Sequence, residues 1–250
     1  MSLSSMGFIN EAAKLRCDIR HSYSKTIYGD DDGMFDNLIM NYESIIPFEK
    51  PDMYFINNKT VIGIEHFQFD SYKAVKGGSE GIKTIKAIER EVSRIASTRD
   101  RSIKNIEITK PVETKMSFEN YRNNLMNGLE NHLKKLAIYK KRLYELFTDN
   151  NDIKICLYIV DETPLGNHFV SLKGKDILEP LLITEFQKRL FESREVDYVI
   201  SCFTDEFNFK RLSFFHNTLD NHTNCLTEVF DTSRHIFVDY TYERISYVCG

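Results

Sequence analysis

The chain has 250 residues, 42% of them hydrophobic and 28% charged, a balance that excludes an intrinsically disordered protein. The formal net charge is −4, so no global positive field draws the chain to nucleic acid or to anionic lipid, although a local basic groove stays open. Five cysteines (Cys17, Cys156, Cys202, Cys225, Cys249) form no CxxC pair and read as reduced thiols of a cytoplasmic protein, and no apolar run approaches the roughly 18 residues of a membrane span.

In chain order, Phe8, Ala12, Leu15 and Ile19 recur at helical spacing and predict a helix over 8–22. Three aspartates between Gly29 and Gly33 mark a turn, and 34–46 reads as a second helix ending near Pro47. A short strand is expected over 53–56 and a second over 61–69, rich in β-branched and aromatic residues. Asn57-Asn58-Lys59 between them makes a hairpin, because asparagine tolerates left-handed backbone angles.

A Gly-rich loop and a helix over 82–98 follow, then a polar stretch over 99–116 with an extended piece at 106–108. Residues 117–147 predict one long helix with Ser117 as N-cap and an apolar stripe through Phe118, Tyr121, Leu125, Leu129, Leu133, Leu136, Leu143 and Phe147. A strand over 153–160, a helix over 176–192 and a strand over 196–203 come next. Residues 207–219 are ambiguous and 234–248 are β-rich. Apolar strands separated by helices predict an α/β fold with some parallel pairing in a sheet covered on both faces, forming one domain over 1–250.

The segment KPDMYFINNKTVIGIEHFQFD carries the chemistry. Asp52 opens the first strand of the hairpin, and Glu65 lies inside the otherwise apolar return strand. A carboxylate among Val61, Ile62, Ile64, Phe67 and Phe69 is costly to bury without a cation or hydrogen-bond donors. Two carboxylates from adjacent strands hold a divalent cation through oxygen, and such a cation acidifies water and stabilises charge on a phosphoryl group. Strand alternation places Glu65, Phe67 and Phe69 on one face and His66, Gln68 and Asp70 on the other.

Pro51-Asp52, a spacer, and Glu65 after the apolar run VIGI resemble the motif of the PD-(D/E)XK nuclease superfamily. The order of helix, hairpin, long helix and apolar strand over about residues 8–160 is similar as well. The resemblance implies a restriction-endonuclease-like fold, a mixed central sheet flanked by helices, with 161–250 as a C-terminal elaboration. It implies Asp52 and Glu65 as ligands of Mg2+ or Mn2+, and Glu11 on the first helix as an extra ligand. The departure is Phe67, which stands where the family carries lysine. Lys73 and Lys76 are the nearest basic replacements, with Lys73 the candidate catalytic lysine, and Asp70 is a further acidic candidate.

The activity so implied is metal-dependent hydrolysis of nucleic-acid phosphodiesters, with DNA or RNA as partner. The alternative is a catalytically inactive nuclease-fold module that binds or supports a partner of unknown kind. Lys134, Lys135 and Lys141, with Lys140 and Arg142, put basic charge on the long helix, either as phosphate contacts or as a solvated face. The bland alternatives are a turn residue for Asp52, an edge-strand or ion-paired residue for Glu65, and a hydrogen-bonded sheet residue for His66.

Overall fold

The computed structural model describes residues 3–29, 33–75, 78–80, 83, 84, 87, 90, 94, 105–111, 117–147, 152–163, 169–171, 179–205, 209–218, 235–237 and 242–248. Outside these lie the aspartates of the Gly29–Gly33 turn, Lys76, Gly77, most of the expected 82–98 helix, the first residues of the expected 176–192 helix, Cys225 and Cys249.

The molecule is an α/β protein built on a mixed seven-stranded sheet. Its strands are β1 (Ser24–Tyr28), β2 (Ile46–Pro47), β3 (Met53–Asn57), β4 (Thr60–Phe69), β8 (Asp152–Asp161), β10 (Tyr198–Thr204) and β11 (Lys210–His216), in the order β1-β11-β10-β8-β4-β3-β2. β4 lies parallel to β8 and β8 to β10, whereas β2, β3 and β4 form an antiparallel meander. Among the described residues there are also three two-stranded pairs: β5 (Ala74–Val75) with β6 (Gly78–Ser79), β7 (Asn105–Pro111) with β13 (Tyr242–Val248), and β9 (Phe169–Ser171) with β12 (His235–Phe237). The stretch expected as an elaboration therefore supplies β10 and β11 to the central sheet itself.

Helices α1 (Leu3–His21) and α2 (Met34–Met40) cover one face of the sheet. Helices α3 (Phe118–Leu133), α4 (Leu136–Leu146) and α5 (Thr184–Glu192) cover the other. Alternation along β8 divides it cleanly: Ile153, Ile155, Leu157 and Ile159 enter the α3–α5 core, and Cys156, Tyr158 and Val160 enter the α1–α2 core. Cys156 and Cys202 are buried free thiols, as small hydrophobes in an apolar strand should be. No helix among the described residues is long and apolar enough to cross a membrane.

The hairpin forms where expected, and Asn58 turns it at φ 55°. Gly63 is needed at its position in β4, since a Cβ there would meet the Pro51 ring at 2.8 Å and a Leu143 methyl at 2.5 Å.

Several expectations are corrected. The single helix over 117–147 is two, broken at Lys134-Lys135, where the Lys135 N–H turns back to the His132 carbonyl. The 34–46 helix stops at Met40 and continues as a 3-10 turn, Tyr42–Ser44. The later helix begins only at Thr184, preceded by a 3-10 turn at Pro180–Leu182. The ambiguous 207–219 stretch contains the buried strand β11, and β1 had no counterpart in the expected elements.

Candidate metal centre

Asp52 and Glu65 meet across the open end of the β3–β4 hairpin. The register pairs Met53 with Ile64, so the next step outward sets Asp52 opposite Glu65. Asp52 Oδ2 accepts the His66 backbone N–H at 2.8 Å, which ties its side chain to the neighbouring strand.

Glu65 is 3% exposed and faces the α3–α4 layer, on the same side of β4 as Phe67. Its Oε1 accepts from His132 Nδ1 at 2.7 Å and from the Tyr139 hydroxyl at 3.0 Å. Its Oε2 is buried and takes no N–H or hydroxyl donor, and the two carboxyls are themselves hydrogen-bonded, Asp52 with Glu65. A carboxylate only accepts, so toward an ionised Glu65 the Nδ1 of His132 is the donor. Tyr139 holds its phenolic proton more firmly than an ordinary tyrosine, through burial first and then the charge of Glu65.

Burial pushes the Asp52 carboxyl up to about 8, the Glu65 charge and that of Glu11 push in the same direction, and the His66 N–H partly opposes them. Two carboxylates this close, largely withheld from water, cannot both ionise without a cation between them.

Glu11 reaches the hairpin from α1, on the opposite face of the sheet. Its Oε1 lies 3.6 Å from His66 Nδ1, and its Oε2 is buried without a partner. His66 packs its ring on Tyr158 at 5.1 Å, and its Nε2 is likewise unpartnered. Asp52 thus stands at the end of an inner strand, where fields from both faces of the sheet overlap.

Among the described residues no three His, Cys, Asp or Glu side chains form a ready-made ligand cluster. The donor chemistry nevertheless fits a hard cation: two carboxyls in contact, both largely withheld from water, with one of them held protonated by burial and by the other. Mg2+ characteristically takes one or two carboxylates and fills its remaining positions with water and phosphate oxygens.

The other candidates fall in different places. Lys73 is exposed, four residues beyond β4. Asp70 is buried and engaged locally, accepting the Tyr72 N–H at 3.0 Å and the Ser79 hydroxyl. Lys134 and Lys135 are exposed at the break between α3 and α4, directly after His132. Lys141 is exposed farther along α4 and lies 3.9 Å from Glu145.

His132 and Tyr139 were not among the expected site residues. A signal for them exists. Leu125, Leu129, His132, Leu136, Tyr139 and Leu143 follow one another at steps of four and three, so His132 interrupts an otherwise core-facing stripe.

Phe67 fills the place expected for lysine with a fully structural contact. Its ring stacks on His132 at 5.0 Å and 17°, and packs so close to α3 that a Cβ on Gly128 would meet two ring carbons at 2.8 Å.

Comparison of the chain with protein-family models, with curated proteins and with solved structures finds no match.

Proposed function

We propose that this chain is a PD-(D/E)XK-type nuclease-like protein that hydrolyses nucleic-acid phosphodiesters with a divalent metal at Asp52 and Glu65. The observation that carries the reading is the convergence of these two carboxyls at one strand end, with Glu65 buried and the two groups in direct contact. The element order supports it: a helix, an antiparallel hairpin, helices on the far face, then a strand parallel to the second hairpin strand.

Bound Mg2+ or Mn2+ supplies charge neutralisation at the phosphate and acidifies a water molecule. Asp52 and Glu65 hold the ion, with Glu11 as an additional acid acting through Asp52. Lys73 is the candidate for contact with the attacked phosphate, and Lys134, Lys135 and Lys141 are candidates for backbone phosphates on either side.

The test incubates the protein with single- and double-stranded DNA and RNA in Mg2+, Mn2+ or EDTA. Cleavage that requires metal and falls at least about a hundredfold in Asp52→Asn and in Glu65→Gln is the expected result. Cleavage that persists in EDTA, or in the double variant, contradicts it.

Phe67 in the lysine position favours a second reading, an inactive nuclease-fold module that binds a partner. That reading predicts nucleic-acid or protein binding without cleavage, unchanged by Asp52→Ala or Glu65→Ala.

A further inference from the structure

We infer that His132 and Tyr139 are a positioning pair that aims Glu65, occupying from the helical layer the place beside this carboxylate that Phe67 cannot serve from the strand. The inference rests on the reading of Asp52 and Glu65 as the metal-binding carboxylates.

Three observations carry it. First, both donors converge on one oxygen. His132 Nδ1 and the Tyr139 hydroxyl lie 2.7 and 3.0 Å from Oε1, while Oε2 takes no donor from the helices and the carboxyl as a whole is hydrogen-bonded to Asp52. Holding Oε1 twice fixes the plane of the group and leaves Oε2 as the atom presented to an incoming ligand.

Second, the two donors come from successive helices. His132 and Tyr139 are seven residues apart, about two turns and so on one helical face. The kink at Lys134-Lys135, whose backbones stay right-handed, ends α3 just past His132 and starts α4 one turn before Tyr139, and both side chains reach the same oxygen.

Third, the imidazole is itself held. It stacks on Phe67, and Phe67 is seated against Gly128 one helical turn before His132. Phe67 therefore serves the site indirectly, as the platform that sets the His132 ring plane. Groups that orient a ligand in this way typically change metal affinity about 10–100-fold when removed.

Mn2+ binding measured by calorimetry on the full chain tests this. Tyr139→Phe deletes one oxygen, and His132→Ala deletes the second donor. Each is expected to weaken Mn2+ binding about 10–100-fold. His132→Asn keeps an N–H donor at the Nδ1 position and is expected to recover most of the loss, and it serves as the folded probe if His132→Ala does not fold. A metal site lost in Asp52→Asn and Glu65→Gln but undiminished in Tyr139→Phe and His132→Ala overturns the positioning role and leaves the metal reading standing. Loss in His132→Asn equal to that in His132→Ala, with Tyr139→Phe unchanged, overturns it as well. A wild-type chain that binds no Mn2+ overturns both.

Discussion

At the residue scale the decisive fact is a buried acid in contact with a second acid. Glu65 is desolvated, its Oε1 is held by His132 and Tyr139, and its neighbour Asp52 is pushed toward the protonated form by burial first and then by Glu65. A cation between the two would take the place of the proton that Asp52 keeps. Without metal, Asp52→Asn replaces a strained acid by a neutral isostere that still accepts the His66 N–H. The variant is therefore expected to melt no lower than wild type at pH 8, and thermal denaturation with EDTA checks it. A fall of several degrees would show that the Asp52 charge stabilises the fold, contrary to this account. The two acids themselves were legible from sequence, because a charge inside an apolar strand needs compensation wherever the strand goes. Their compensating donors were not. His132 and Tyr139 lie 67 and 74 residues away from Glu65, and no local pattern pairs positions across such a distance.

At the scale of elements, the site depends on how α3 meets β4. Gly128 in mid-helix would ordinarily be a liability of about 1 kcal/mol relative to alanine. Here it admits the Phe67 ring, which a Cβ would strike at 2.8 Å. Gly128→Ala is expected to destabilise by about 1–3 kcal/mol despite its better helix propensity, because Phe67 is held on its other face by His132. Denaturant unfolding of Gly128→Ala alone and combined with Phe67→Leu checks this: the smaller side chain should recover much of the loss. A stabilised Gly128→Ala would mean that the ring has room to move. At the start of the same helix, the Ser117 hydroxyl accepts the Asn120 N–H at 3.0 Å, so Ser117→Ala should cost about 1 kcal/mol in the same assay. That cap was readable from sequence, as were the hairpin and the strands β4, β8 and β10, since each rests on local chemistry and period. The break at Lys134-Lys135 was not readable. Neither proline nor glycine marks it, and the apolar stripe runs through it in step.

At the scale of the whole molecule, the sheet carries an apolar core on each face, and each encloses acids. The α1–α2 side buries Asp18 beside Tyr158, and the α3–α5 side buries Asp161 and Glu179 away from the hairpin. Burial raises Asp161 and Glu179 each to about 7, with Thr163 partly opposing this at Asp161, and Ser213 and Tyr28 at Glu179. For Glu179 the sign follows directly. Below its ordinary value of 4.5 the group is protonated folded or unfolded, and its contribution is complete. As pH rises from 4.5 to about 7 the unfolded chain ionises first, and stability is lost by up to about 3 kcal/mol. Glu179→Gln should flatten the stability curve across that window, and adding Asp161→Asn should flatten it further. An unchanged slope in urea titrations at pH 5, 6 and 7 would place those acids in a wetter setting than this fold provides. Asp161 was legible only as an acid at the end of a strand, a place where α/β proteins often keep ligand sites, and Glu179, before a proline, gave no sequence signal.

All three scales meet at the hairpin, and one measurement addresses it directly. Crystals grown or soaked with Mn2+ give an anomalous signal that locates the ion without reference to activity. The account predicts a peak between Asp52 and Glu65, with Glu65 Oε2 and an Asp52 oxygen each at about 2.1 Å, and with Oε1 still bound by His132 and Tyr139. A saturating soak with no peak at that position, or a peak that leaves Glu65 Oε2 uncoordinated, would contradict it.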